Sequence, residues 1–258
     1  MGKTGEMKIL PLFFFMLPFL ASGEVFRLDG VDFHYRIPEH CKSDSGIMVL
    51  FGGRNWPGDK TLKTYDFNEL ADRHGLFLLS PSFRDRDYWE PEKWSGPLLK
   101  KAIRYLETRY KLNSRKLYFY GYSAGGQCAA LFFQWMPEKV AAVGIHACGV
   151  YPDRIVKTHI PVLVTCGTED RERFQISRRF VYRYRERGGL LLWKYYRNSG
   201  HGLSKSALEL AKVWFDDHLS GREIIAYGED DTFRTGETFE VEFRNPLYSE
   251  KMRELWRE

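Results

Sequence analysis

Along the chain, apolar residues fall into short unbroken runs separated by longer stretches in which they recur every three or four positions. Residues 47–51 (Ile-Met-Val-Leu-Phe) form one such run and stop at Gly52-Gly53. A run without polar alternation predicts a strand covered on both faces. Five more follow, at 76–79, 116–120, 141–145, 161–165 and 190–196. Between them the helical period predicts helices over about 65–74, 98–110, 126–135, 172–187 and 204–218. Strands alternating with helices predict an α/β domain, a mostly parallel sheet with helices on both faces. Residues 25–37 alternate weakly, which predicts short antiparallel strands at one edge.

The two ends depart from this pattern. Lys3 and Lys8 precede an apolar run over 9–20, and Ala21-Ser22-Gly23 then offers small residues for cleavage. This layout predicts a secretory signal peptide over residues 1–23 and export of the chain, secreted or periplasmic. The run is shorter than the ~20 residues a bilayer span needs. Pro11 and Pro18 also interrupt it, so no stable membrane anchor is expected. After Ser220-Gly221 the sequence becomes charged, and 222–258 reads as a C-terminal extension with a short amphipathic stretch at 252–256. The intervening 24–221 forms the main domain.

Composition narrows the function classes. With 43% hydrophobic and 28% charged residues, the chain of 258 residues is an ordinary globular protein rather than a disordered one. The net charge of +5 is spread along the chain, so nucleic acid is not expected as a partner. Cys41, Cys128, Cys148 and Cys166 match no zinc spacing. Three of them sit inside apolar segments and are expected as free buried thiols, although export would permit disulfides. No metal and no cofactor is expected.

The chemistry concentrates at Gly121-Tyr122-Ser123-Ala124-Gly125-Gly126. Here a G-x-S-x-G pattern directly follows a buried strand and directly precedes a small-residue helix. Glycines at 121 and 125 permit a bend too sharp for side chains, which exposes Ser123 at the strand end. The helix that follows aims its first amides at the place where negative charge develops in acyl transfer. A serine needs a base, and the base an orienting acid. The fifth run ends in Gly167-Thr168-Glu169-Asp170 and the sixth in Asn198-Ser199-Gly200-His201-Gly202. Asp170 and His201 therefore leave the carboxyl ends of successive strands, in the order serine, acid, histidine. Glu169 competes with Asp170 for the acid role, and the G-T-x-D pattern favours Asp170. An oxyanion hole needs two backbone N–H donors, for which Ala124 and Gly53 are the candidates. A plain glycine turn or an ordinary loop histidine would use the same residue types singly; their joint placement at strand ends favours the catalytic assignment.

These motifs resemble the α/β-hydrolase superfamily, and within it the exported polyhydroxybutyrate-depolymerase and feruloyl-esterase group, over roughly residues 47–218. The resemblance implies an eight-stranded, mostly parallel sheet without a cap domain and a Ser123–His201–Asp170 triad acting through an acyl-enzyme. Many relatives carry His-Gly where this chain has Phe51-Gly52, so the first oxyanion loop departs from the family pattern.

The segment between the fourth and fifth strands, 147–159, is too short for a helical lid, which predicts an open cleft suited to bulky, polymeric or carbohydrate-linked esters. Trp56, Tyr122, Trp89 and Trp94 could line it, or could equally pack a long loop. Three classes remain open at this level: a carboxylic-ester hydrolase, favoured; a serine exopeptidase of the oligopeptidase type; and a binding module on a hydrolase scaffold.

Overall fold

The computed structural model describes residues 23–85, 87–114, 116–155, 159–229 and 244–258. The signal peptide expected over 1–23 lies, up to residue 22, outside them.

Each buried run becomes a strand of an eight-stranded sheet in the order β1-β2-β4-β3-β5-β6-β7-β8. β3 (Ile47–Phe51), β4 (Phe77–Pro81), β5 (Leu117–Tyr122), β6 (Val140–His146), β7 (Val162–Gly167) and β8 (Leu191–Tyr196) run parallel. β1 (Glu24–Leu28) and β2 (Val31–Arg36) add an antiparallel edge against β4. Strand periodicity of two sends alternate side chains to opposite faces. Ile47, Val49, Phe51, Leu117 and Phe119 enter one core, which α3 (Gly96–Tyr110), α4 (Ala124–Trp135) and α5 (Arg171–Arg185) cover. Met48, Leu50, Tyr118 and Tyr120 enter the other. That core is closed by α1 (Gly58–Tyr65), α2 (Asn68–His74), α6 (Lys205–Leu219) and α7 (Glu250–Arg257). Two wet faces become two dry ones, which is why the strands read as apolar runs rather than alternations.

One predicted helix is wrong in extent. The stretch read as 65–74 begins on the last residue of α1, a helix over 58–65 that the pattern did not predict, and α2 covers only 68–74; Asp66 adopts φ 49° and its N–H bonds back to Leu62, closing α1. The chain then restarts at Phe67, whose carbonyl accepts the Ala71 N–H. A π-helical turn, Pro91–Ser95, occupies the aromatic loop before α3. No helix lies among the described residues between β6 and β7, and no described helix is long and apolar enough to cross a membrane.

The C-terminal residues pack on the free edge of β8. β10 (Arg244–Leu247) pairs with β9 (Ala226–Glu229), and residues 230–243 between them are outside the described set. The Asn245 side chain accepts the Trp193 N–H and the Arg185 guanidinium, both at 2.6 Å. The Trp256 indole donates to the Trp193 carbonyl at 3.1 Å. Ser249 caps α7 by accepting from Met252 and donates to Asp217 at 2.6 Å.

Candidate active site

Ser123 stands between β5 and α4 with φ 57° and ψ −119°, a backbone conformation that side-chain-bearing residues rarely adopt. Its neighbours explain how it is held. A Cβ on Gly125 would lie 2.0 Å from the Phe51 carbonyl oxygen and 2.4 Å from that of Gly52. A Cβ on Gly121 would meet the Gly125 carbonyl at 2.0 Å. Both glycines are therefore required by close backbone approach, as the motif implies. The Ser123 N–H donates to the His146 carbonyl at 2.9 Å, and the Ser123 carbonyl accepts from Gln127 at 3.0 Å.

The serine hydroxyl lies 2.9 Å from His201 Nε2. His201 Nδ1 lies 2.6 Å from Asp170 Oδ2, so three side chains from the ends of β5, β7 and β8 form one continuous hydrogen-bonded chain. Asp170 is nearly buried, with 6% of its side chain exposed, whereas the His201 ring is one-third open at 32%. That contrast places the carboxylate inside and the imidazole at the rim. The second oxygen of Asp170 receives Arg173 at 3.1 Å, one turn into α5. Glu169, the competing acid, is 51% exposed and faces Arg171.

Glycine again sets the approach of the histidine loop. A Cβ on Gly167 would stand 2.1 Å from the Ser199 carbonyl oxygen. Glu169 N–H donates to that same carbonyl at 2.9 Å, and Thr168 N–H to the Tyr196 carbonyl at 3.0 Å.

The turn after β3 abuts the elbow through the Gly125 contacts just described, which brings Gly53 and Ala124 into one corner. Ala124 opens α4, so its N–H has no partner within the helix. A buried hydroxyl ties the two strands where their pairing ends at Phe51 and Gly121. Tyr65 O–H donates to the Phe51 carbonyl at 2.7 Å and accepts the Tyr122 N–H at 3.1 Å. Burial pushes the Tyr65 phenol well above its ordinary pKa, so it stays a donor.

Of the four aromatic residues singled out, two reach this corner. The Tyr122 ring stacks on His201 with centroids 5.3 Å apart, and Trp56 lies 5.9 Å from Tyr122. Trp56 also lines a small cavity beside Gly53 together with Phe83, Tyr88 and Cys128. Trp89 and Trp94 are not among the residues that line that cavity, and the Trp89 ring lies 5.8 Å from the Arg54 guanidinium. Trp94 packs edge-on against Phe83 and Trp89 against Tyr88, because the π-helical turn folds the loop back onto the core. Tyr88 belongs to the aromatic-rich loop that the sequence marked, whereas the cavity-lining Phe83 carried no distinguishing signal. Arg173 could have been found from its i, i+3 spacing to Asp170. Cys128, Cys148 and Cys166 are buried free thiols, and Cys41 is exposed. Burial pushes the thiol of Cys166 up to about 12.

No protein-family model matches the sequence, and no curated protein matches it. Among solved structures, a thermostable esterase superposes with a TM-score of 0.57 at 21% identity, covering 69% of this chain and 55% of that one. This chain thus spans about half the length of that esterase. Poly(aspartic acid) hydrolase-1 from Sphingomonas sp. KT-1 superposes with a TM-score of 0.60 at 15% identity, covering 75% and 97% of the two chains. A poly(3-hydroxybutyrate) depolymerase from Bordetella parapertussis gives 0.58 at 16% identity, with 76% and 91% covered. With its strand order, its parallel core and the turn that carries Ser123, the chain has the α/β-hydrolase fold.

Proposed function

We propose that this protein is a serine hydrolase that cleaves carboxylic esters through an acyl-enzyme on Ser123. The observation that carries the reading is the unbroken chain from Ser123 Oγ through His201 to Asp170, with contacts of 2.9 and 2.6 Å. Asp170 accepts the Nδ1 proton of His201, which leaves Nε2 bare toward the serine hydroxyl. As Ser123 attacks an ester carbonyl, Nε2 takes its proton and then delivers it to the leaving alcohol. Charge that develops on the carbonyl oxygen is met by the N–H groups of Ala124 and Gly53. Water, activated by the same histidine, releases the acid and restores the serine. No step calls for a metal or an organic cofactor.

The absence of a helix between β6 and β7 among the described residues supports an open cleft and, with it, bulky, polymeric or carbohydrate-linked esters. The leader pattern over residues 1–23 supports action outside the cytoplasm. The test is hydrolysis of p-nitrophenyl esters of rising acyl length beside aminoacyl and dipeptidyl amides, with wild type and Ser123→Ala. Esters should turn over and amides should not, and Ser123→Ala should lose on the order of 10⁶ in kcat while staying folded. Preferential cleavage of the amides would support the exopeptidase reading instead, and a Ser123→Ala variant that keeps a tenth of the activity would overturn the nucleophile.

A further inference from the structure

A second histidine, outside the Ser123–His201–Asp170 array, is built into the same corner. His146 ends β6 and is 2% exposed. Its backbone carbonyl holds the Ser123 N–H. Its ring spans two polar groups, with Nε2 2.8 Å from the Gly202 carbonyl oxygen and Nδ1 2.6 Å from Thr165 Oγ1. A carbonyl only accepts, so the ring proton sits on Nε2, and the bare Nδ1 accepts the Thr165 hydroxyl. Gly202 directly follows His201. The Tyr122 ring contacts both imidazoles, with centroids 5.3 Å from His201 and 5.7 Å from His146. Burial lowers the His146 pKa to about 4, so near neutral pH it keeps the single Nε2 proton that this geometry needs.

We propose that His146 is a positioning residue: by donating Nε2–H to the Gly202 carbonyl, with its tautomer set by Thr165, it fixes where His201 stands relative to Ser123. The inference rests on the serine-hydrolase reading and deepens it. The Gly167 side of the loop is held by the Ser199 carbonyl and by backbone packing. The Gly202 side receives its hydrogen bond from this imidazole. One residue thus anchors the nucleophile through its main chain and the base through its ring. A buried histidine that merely satisfied its own polar atoms would carry the same contacts, so the test must read the histidine loop itself.

The variants are His146→Phe, which keeps a ring and loses the donor, and His146→Gln, whose amide nitrogen reaches the place of Nε2. A misplacement of about 1 Å at a reacting group costs up to ~10²-fold. His146→Phe should therefore lower kcat by about 10–100-fold on a short-chain p-nitrophenyl ester, with KM within about twofold. His146→Gln should recover kcat to within about threefold of wild type. In a His201→Ala background, His146→Phe should cost nothing further on the residual rate, because its effect runs through His201. A further loss there equal to that in wild type would overturn the role, as would an undiminished kcat in the single variant. Should His146→Phe not fold, His146→Asn replaces it, since its amide stops at the place of Nδ1; Asn must then fall at least tenfold below Gln, and the reverse order overturns the inference. With Ser123→Ala inactive and His146→Phe unslowed, only the positioning role fails. With Ser123→Ala active, the underlying reading fails too.

Discussion

Acidification from pH 7 to pH 4 should remove a large part of this protein's stability, and one buried and one largely buried histidine set the size of the effect. His146 is held neutral as described. His218 donates Nδ1–H to the Trp214 carbonyl at 2.8 Å, and its ring packs 4.2 Å from Trp214 and 4.5 Å from Tyr248. Its Nε2 is buried with no hydrogen-bond partner among the described residues. Burial lowers each ring from 6.5 to about 4, a depression of about 2.5 pKa units. In the unfolded chain both rings bind a proton below pH 6.5, whereas in the folded protein they do so only near pH 4. The unfolded state therefore binds more protons throughout that window, and stability rises with pH across it. At 1.36 kcal/mol per pKa unit, each ring accounts for about 3 kcal/mol, and the pair for about 6. Domains of ordinary stability have about 5–15 kcal/mol in all, so the loss is comparable to the whole. Asp72 and Asp216, lowered by their arginine and histidine partners, begin to lose their contribution as pH falls to the ordinary carboxylate range and lose it fully only below their own lowered values, so most of their effect lies beneath this window. Asp217, raised by burial, acts with the opposite sign and offsets a small part. The assay is denaturant unfolding at pH 4.5 to 7.5 on wild type and on His146→Phe/His218→Phe. Wild type should take up close to two protons on unfolding near pH 5, and the double variant should lose that slope. A flat wild-type profile, or an unchanged slope in the variant, would refute the reasoning.

Two further outcomes follow from contacts already described. Asp170→Asn should reduce kcat on the order of 10⁴, by analogy with protease triads, and Glu169→Gln far less, measured on the same aryl ester; a reversed order would move the acid by one residue. Asn245→Leu removes the acceptor shared by Arg185 and the Trp193 N–H. It should cost about 3 kcal/mol, or a Tm drop of about 6–12 °C, with the kcat of the folded enzyme unchanged. An unaltered Tm would mean that the C-terminal residues do not brace the β8 edge.

The parts of this fold that were legible in the sequence share one physical property: their pattern is local. β3 through β8 appear as apolar runs because both faces are dry, and Ser123 with its glycines appears because a strained turn restricts residue type at each step. Asp170 and His201 were legible by their position after such runs. What escaped depends on distant placement. Helix α1 was not read from the pattern at all, and the predicted helix began on its last residue, Tyr65, just before the left-handed Asp66 that ends it. Tyr65 acts on Tyr122 across 57 positions of sequence, and nothing near it marks a functional hydroxyl. His146 looks like the polar end of a strand until the Gly202 loop is laid over it.

The Tyr65 hydroxyl has a consequence for the timing of the reaction. Parallel strands diverge where their ladder stops, and Gly53 and Ala124 lie just beyond that point, on the continuations of β3 and β5. A single buried phenol bridges the two strand ends, donating to Phe51 and accepting from Tyr122. For the chemistry proposed here, a bridge at that place would set the spacing of the two N–H donors in advance of substrate, leaving less reorganisation to the reaction itself.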